Sequence, residues 1–196
     1  SGGESEERAP TATANSEAGW LSATIFALYV AVEMTTGLWA STFLVVSRGL
    51  APETAGLCAT AYYGAITVGR ILSGFVVEQI GNRKVVTIGV LVALGGISGL
   101  ALAEQAWSAA VSLVAIGLGF APVYPCMMHE VPRRFSPHAA LTVIGRQSAA
   151  SYAGAAVLPA ATGWFVQQIA VDSVVWLVLA GTTSMGMLIR RLNRIT

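Results

Sequence analysis

The chain has 196 residues, 55% of them hydrophobic and 11% charged, with a formal net charge of +1. Soluble domains average roughly 25% charged residues, so this composition excludes an ordinary water-soluble globule, and the net charge gives no sign of nucleic-acid binding. Residues 85–103, 105–129 and 147–171 contain no Asp, Glu, Lys or Arg, and such runs match the ~18–20 residues that cross a bilayer core. The expected class is an all-α polytopic membrane protein.

In chain order, residues 1–19 are polar, acidic and small and read as a flexible cytoplasmic tail or linker. They have no basic start followed by an apolar core, unlike a signal peptide. The first span is expected from about Trp20 to Ser47, closed by Arg48 and Gly49, with Glu33 near its middle. The second follows Pro52, with Pro and Glu in its first turn, and runs to about Ile80. The third covers roughly Val85 to Ala103, and the fourth roughly Trp107 to His129, broken or kinked near Tyr124 by Pro122 and Pro125. The fifth begins after Pro137 and runs to about Gln168, and the sixth runs from about Ser173 to Ile189, before a basic tail at 191–196. Cys58 and Cys126 lie in apolar runs and read as small buried residues. There is no metal-ligand spacing, no nucleophile with a base and no phosphate loop, so neither an enzyme nor a cofactor is expected.

Six spans put both termini on one side. Arg8, Arg83, Lys84, Arg133, Arg134, Arg190, Arg191 and Arg194 fall on that side, Arg48 alone on the other, and Arg70 and Arg146 within spans. The positive-inside rule makes the side of the termini cytoplasmic and the location the inner cell membrane. A repeat with a period of 89 residues is visible. Gly74-Phe-Val-Val-Glu-Gln-Ile-Gly81 aligns with Gly163-Trp-Phe-Val-Gln-Gln-Ile-Ala170, and Tyr63 falls on Tyr152. Each copy, about 20–103 and 107–190 within a 20–190 domain, holds three spans, so the copies are inverted, as in transporter halves.

Two ionisable side chains in the spans are candidates for chemistry. Glu33 is about 13 residues into the first span, or ~20 Å deep, on a face with Tyr29, Thr36, Gly37 and Ala40. It reads either as a proton-coupling or solute-binding carboxylate or as a structural ion-pair member. Arg70 lies ~15 Å from the same end, with Tyr63 and Thr67 on its face. It either pairs with Glu33 or grips a solute, or it caps a neighbouring helix. Arg146, followed by Gln147, is a gate residue or second anchor, or an arginine that snorkels to the interface. Tyr124 stands where freed carbonyls of a broken helix could face a site.

Gly74-x-x-x-Glu78-Gln79-x-Gly81-x-Arg83-Lys84 resembles the cytoplasmic loop motif of the major facilitator superfamily, G-x-x-x-D-R-x-G-x-R-R, with Glu78 for the usual Asp and Gln79 for the usual Arg. Glu33-x-x-x-Gly37-x-Trp39, Gly69-Arg70, Ala121-Pro122-x-Tyr124-Pro125 and Gly145-x-Gln147 resemble the carboxy-terminal six helices of the fucose-permease-like branch, which holds sugar–proton symporters. The resemblance implies half of a transporter moving a small polar, sugar-like solute by proton-coupled alternating access. Spans one, two, four and five would line the path, with three and six peripheral. Glu33, Arg70, Tyr29, Tyr63, Tyr124, Gln147 and Arg146 would serve solute or proton, and the Gly74–Lys84 motif would gate. The partners implied are the bilayer, the solute and a second six-helix half, either an amino-terminal half or a second copy. A non-transporting scaffold or receptor and a drug exporter of the same fold are the rivals.

Overall fold

The computed structural model describes residues 13–14 and 16–196, and every regular element among them is an α-helix. Most of the expected acidic tail lies outside the described residues. The helices are α1 (Glu17–Arg48), α2 (Pro52–Ile80), α3 (Asn82–Leu102), α4 (Ala106–Phe120), α5 (Val123–Arg134), α6 (Pro137–Gln168) and α7 (Ser173–Ile195).

Their ends follow local chemistry. Ser16 caps α1 by accepting from the Gly19 N–H, and Gly49 ends it in the left-handed region at φ 66°, donating to the Leu44 and Val45 carbonyls. Gly81, at φ 83°, is the only residue between α2 and α3, and its backbone geometry suits glycine alone. The fourth rod breaks at Ala121–Pro122, slightly before Tyr124. Pro122 removes the hydrogen bond to the carbonyl four residues back, whereas Pro125 sits in the first turn of α5, where an N–H has no helical partner to lose.

Two rods outrun their apolar stretches. The fourth continues past His129 to Arg134, and α7 continues through the basic segment to Ile195. In both, the added polar turns are paired across helices: Arg134 donates to Asn193 Oδ1 at 2.6 Å and to Thr196 Oγ1 at 3.0 Å.

By length and composition, Glu17–Arg48, Asn82–Leu102, Ala106–Arg134 and Ser173–Ile195 are long and apolar enough to cross a membrane. α2 and α6, with 29 and 32 residues, have the length but are diluted by Gly, Ala, Ser and Thr.

The helices divide into two groups. α1 lies along α6 and against α7, while α4 lies along α2 and α3. Missing side chains allow both long contacts. A Cβ on Gly117 of α4 would stand 2.6 Å from the Tyr62 carbonyl oxygen of α2, and one on Gly154 of α6 would overlap the Ala27 carbonyl of α1. The apolar core, including Phe26, Phe43, Leu113, Phe120 and Met185, fills the space between the groups. Cys58 and Cys126 are buried free thiols.

The two ends differ in charge. At one end the start of α1, the start of α3 and the ends of α5 and α7 meet around Glu17, Arg83, Glu130, Arg134 and Arg191. At the other, Arg48 donates to the Ala101 and Ala103 carbonyls at 2.8 and 2.6 Å and faces Asp172 at 3.5 Å, satisfying the end of α3.

Candidate functional site

An ion pair joins the two helix groups near the middle of the bundle. The Arg70 guanidinium on α2 donates to Glu33 Oε1 on α1 at 3.2 Å. The Glu33 side chain is 9% exposed and that of Arg70 48%, so one charge is enclosed while its partner opens to the outside of the bundle. The Glu33 face of α1 is buried at Tyr29, Thr36, Gly37 and Ala40. A charge there needs a partner, because leaving the carboxylate alone in an apolar interior costs several kcal/mol, about 3–5 when one partner of a buried pair is removed.

Aromatic residues build the surroundings. The Tyr62 hydroxyl donates to the Glu33 carbonyl at 2.9 Å, so α2 grips the main chain of the residue whose side chain it also neutralises. The Tyr63 hydroxyl occupies the space a Cβ on Gly37 would need. The buried Tyr29 hydroxyl is held beside both charged groups, and among the described residues no hydrogen bond of good geometry satisfies it. Its ring meets Phe120 of α4 edge-on at 6.3 Å and Tyr124 of α5 at 6.3 Å, and Tyr124 also packs on Phe26 at 5.2 Å. Such ring pairs fix orientation as well as burying area.

An open cleft of about 470 Å³ leads from Arg70 past Ser73 and Glu78 on α2 to His129 and Arg133 on α5, ending at the side of the termini. Glu33, Arg70, Tyr29, Tyr63 and Tyr124 therefore come together. Gln147 and Arg146 do not join them. Gln147, fully buried on α6, donates to Ser22 Oγ at 2.5 Å nearer the start of α1, and its own Oε1 has no hydrogen-bond partner among the described residues. Arg146 lies over the Trp20 ring at 4.8 Å and donates to the Ala14 carbonyl at 2.6 Å, holding the chain just ahead of α1.

The loop motif is split between structure and open surface. Gly81 makes the turn, whereas Gly74 has open space where a Cβ would stand. Glu78, Gln79 and Lys84 are exposed or nearly so, and among the described residues Glu78 and Lys84 form no ion pair. Arg83 reaches Glu130 Oε2 at 3.1 Å, where Arg134 also arrives at 3.2 Å, and Asn82 donates to Oε1 at 3.1 Å with Arg133 at 3.6 Å. This buried hub ties α3, α5 and α7 together. Glu130 is not among the residues singled out from the sequence. Its signal was the arginines at i+3 and i+4, on the same helical face. Tyr62 was also missed, and nothing in its spacing distinguishes it.

A family model described as Major Facilitator Superfamily matches residues 15–194. The chain is 28% identical over 129 residues to an uncharacterized MFS-type transporter of Yersinia pestis, covering 66% of this chain and 33% of that protein. Two crystal structures of a point mutant of the peptide transporter POT, one in complex with sulfate, superpose with a TM-score of 0.72 at 19% identity. They cover 88% of this chain and 36–37% of theirs, a likeness of fold. The chain thus spans about a third of the length of these proteins.

Proposed function

The chain belongs to the Major Facilitator Superfamily, and from that premise we propose that it is one half of a secondary active transporter moving a small polar solute by alternating access. The observation that carries this reading is the Glu33–Arg70 pair: enclosed on the Glu33 side, open on the Arg70 side, and facing a cleft that leads to one end of the bundle. A solute group that competes for the Arg70 N–H donors, or a proton that neutralises Glu33, would release the link between the two helix groups. The sugar-like solute and proton coupling rest on the resemblance to the fucose-permease-like branch. The POT likeness places a peptide carrier in the same fold, so both solute classes belong in the test.

In this reading all six rods cross the membrane, including the less apolar α2 and α6. The packing supports two inverted repeats. Shifted by 89 residues, the close pair Ala27–Gly154 becomes Ile116–Ala65, and Ala65 is a near neighbour of Gly117, 3.0 Å from where its Cβ would stand. The end rich in arginine is cytoplasmic, with both termini there. Exposed Ile71, Leu72 and Phe75 on α2 and Tyr152, Val157 and Trp164 on α6 suit burial against a second half, an amino-terminal half or another copy.

The test is accumulation in sealed vesicles of labelled sugars and dipeptides under an imposed proton gradient, with the chain alone and with an amino-terminal half. Gradient-driven accumulation that Glu33→Gln abolishes is the expected result. If no solute accumulates in either form, or if Glu33→Gln accumulates as wild type does, transport or its proton coupling respectively is refuted.

A further inference from the structure

α3 and α7 leave between them a groove of about 110 Å³ that shares no lining residue with the cleft at Arg70. It is lined on α3 by Thr87, Val90, Leu91 and Leu94, a stretch of about 10 Å at 1.5 Å per residue. Its floor exists because Gly186 of α7 carries no side chain; a Cβ there would stand 3.1 Å from Val90 Cγ1. The lining hydroxyls are spent within their own helices. Thr87 donates to the Arg83 carbonyl and Thr183 to the Leu179 carbonyl, each at 2.8 Å. Apart from Arg190 at its lower end, the groove therefore offers methyl and methylene groups.

Its lower end is different. Met187 and Arg190 also border a second depression of about 460 Å³, completed by Arg191, Arg194 and Ile195. Lys84 stands one turn before Thr87 and two before Leu91 on the same face of α3. Arg191 is engaged by Glu17 at 2.5 Å, but among the described residues Arg190, Arg194 and Lys84 have no acidic partner within 4 Å. Glu130, a nearby carboxylate, is buried and already held by Arg83 and Arg134. An apolar trench opening onto unneutralised cations matches a molecule with one apolar chain and one anionic head.

We propose that this α3–α7 groove binds an anionic phospholipid, its phosphate held by Arg190 and Arg194 and an acyl chain lying along Val90, Leu91 and Leu94. The site rests on the bilayer placement given under Proposed function and on α3 and α7, the third and sixth spans, lying at the periphery as the resemblance implies, and is independent of whether the protein transports. Membrane-surface cations contribute enough per arginine that losing two weakens an anionic lipid about thirtyfold.

The experiment is native mass spectrometry of the detergent-purified chain titrated with phosphatidylglycerol and with phosphatidylcholine of identical acyl chains. Tight retention of one phosphatidylglycerol, and weaker retention of phosphatidylcholine, is expected. Arg190→Gln with Arg194→Gln removes the preference, while Arg133→Gln, an exposed cation on the same end outside the groove, leaves it. Leu91→Trp, which fills the trench from its exposed side and spares every cation, also weakens retention. Equal retention of both lipids, an equal loss in Arg133→Gln, or full competition by glycerophosphate without acyl chains would each overturn the site. All variants are exposed on the surface, and vesicle uptake is not the readout, so a failure here is separable from a failure of transport.

Discussion

Arg70→Met is the perturbation whose outcome follows most directly from the geometry. At the 3.2 Å separation, with an effective dielectric of about 20, opposite unit charges attract by about 5 kcal/mol. Much of that offsets the hydration Glu33 gives up, and the half-open Arg70 weakens the rest through solvent screening. Removing Arg70 leaves the enclosed carboxylate alone, at a cost of about 2–3 kcal/mol, below the 3–5 of a fully buried pair. Glu33→Gln removes the enclosed charge instead and leaves an arginine that reaches water, so it costs about 0–1 kcal/mol. The double variant then resembles Glu33→Gln, with stability regained relative to Arg70→Met. Thermal unfolding in a fixed detergent reads this as a difference of about 4–8 °C between the single variants. A Glu33→Gln protein less stable than Arg70→Met, or a double variant no better than Arg70→Met, would refute the assignment of the cost to an enclosed carboxylate.

Three further outcomes follow from other contacts. Glu130→Gln strips the buried Arg134 of its carboxylate and should cost about 3–5 kcal/mol in unfolding experiments, whereas Glu78→Gln, with no ion pair, should be close to neutral. Gly154→Val drives a side chain into the Ala27 main chain and should destabilise by about 3 kcal/mol or more. Gly145→Ala in the same helix meets open space and should be neutral or stabilise by up to ~1 kcal/mol, measured by the same melts. Arg48→Gln frees the Ala101 and Ala103 carbonyls, so amide exchange at the last turn of α3 should rise while the Arg70 region stays protected.

Much of the fold is legible because apolar runs, prolines and glycines mark helix limits independently of packing: Pro52, Pro137 and Gly49 each sit where they were expected to. The ion pair is legible for the same kind of reason, since two charges at similar depth in apolar helices have few other ways to be neutralised. Distances across helices are less so. That Arg146 turns toward Trp20 and Ala14, and that Tyr62 reaches a carbonyl rather than a carboxylate, depend on how α1, α2 and α6 are rotated about their axes. The helical ends of α5 and α7 were hidden because their polar turns look like loop until Arg134 and Asn193 are seen to face each other.

The division of the helices into an α1–α6–α7 group and an α2–α3–α4 group has a mechanical meaning. Within each group, glycines let helices approach closely: Gly154 lies against the Ala27 carbonyl, Gly117 against the Tyr62 carbonyl and Gly119 against the Ala93 main chain. Between α1 and α2 the fasteners are the Glu33–Arg70 pair, the Tyr62 hydroxyl and the Tyr63 ring seated on Gly37. The two groups are therefore joined by the apolar core, by the Arg48 and Arg83 contacts at the two ends of the bundle and by this polar seam near its middle. A change at the Glu33–Arg70 pair therefore bears on one of the places where α1 and α2 are held together.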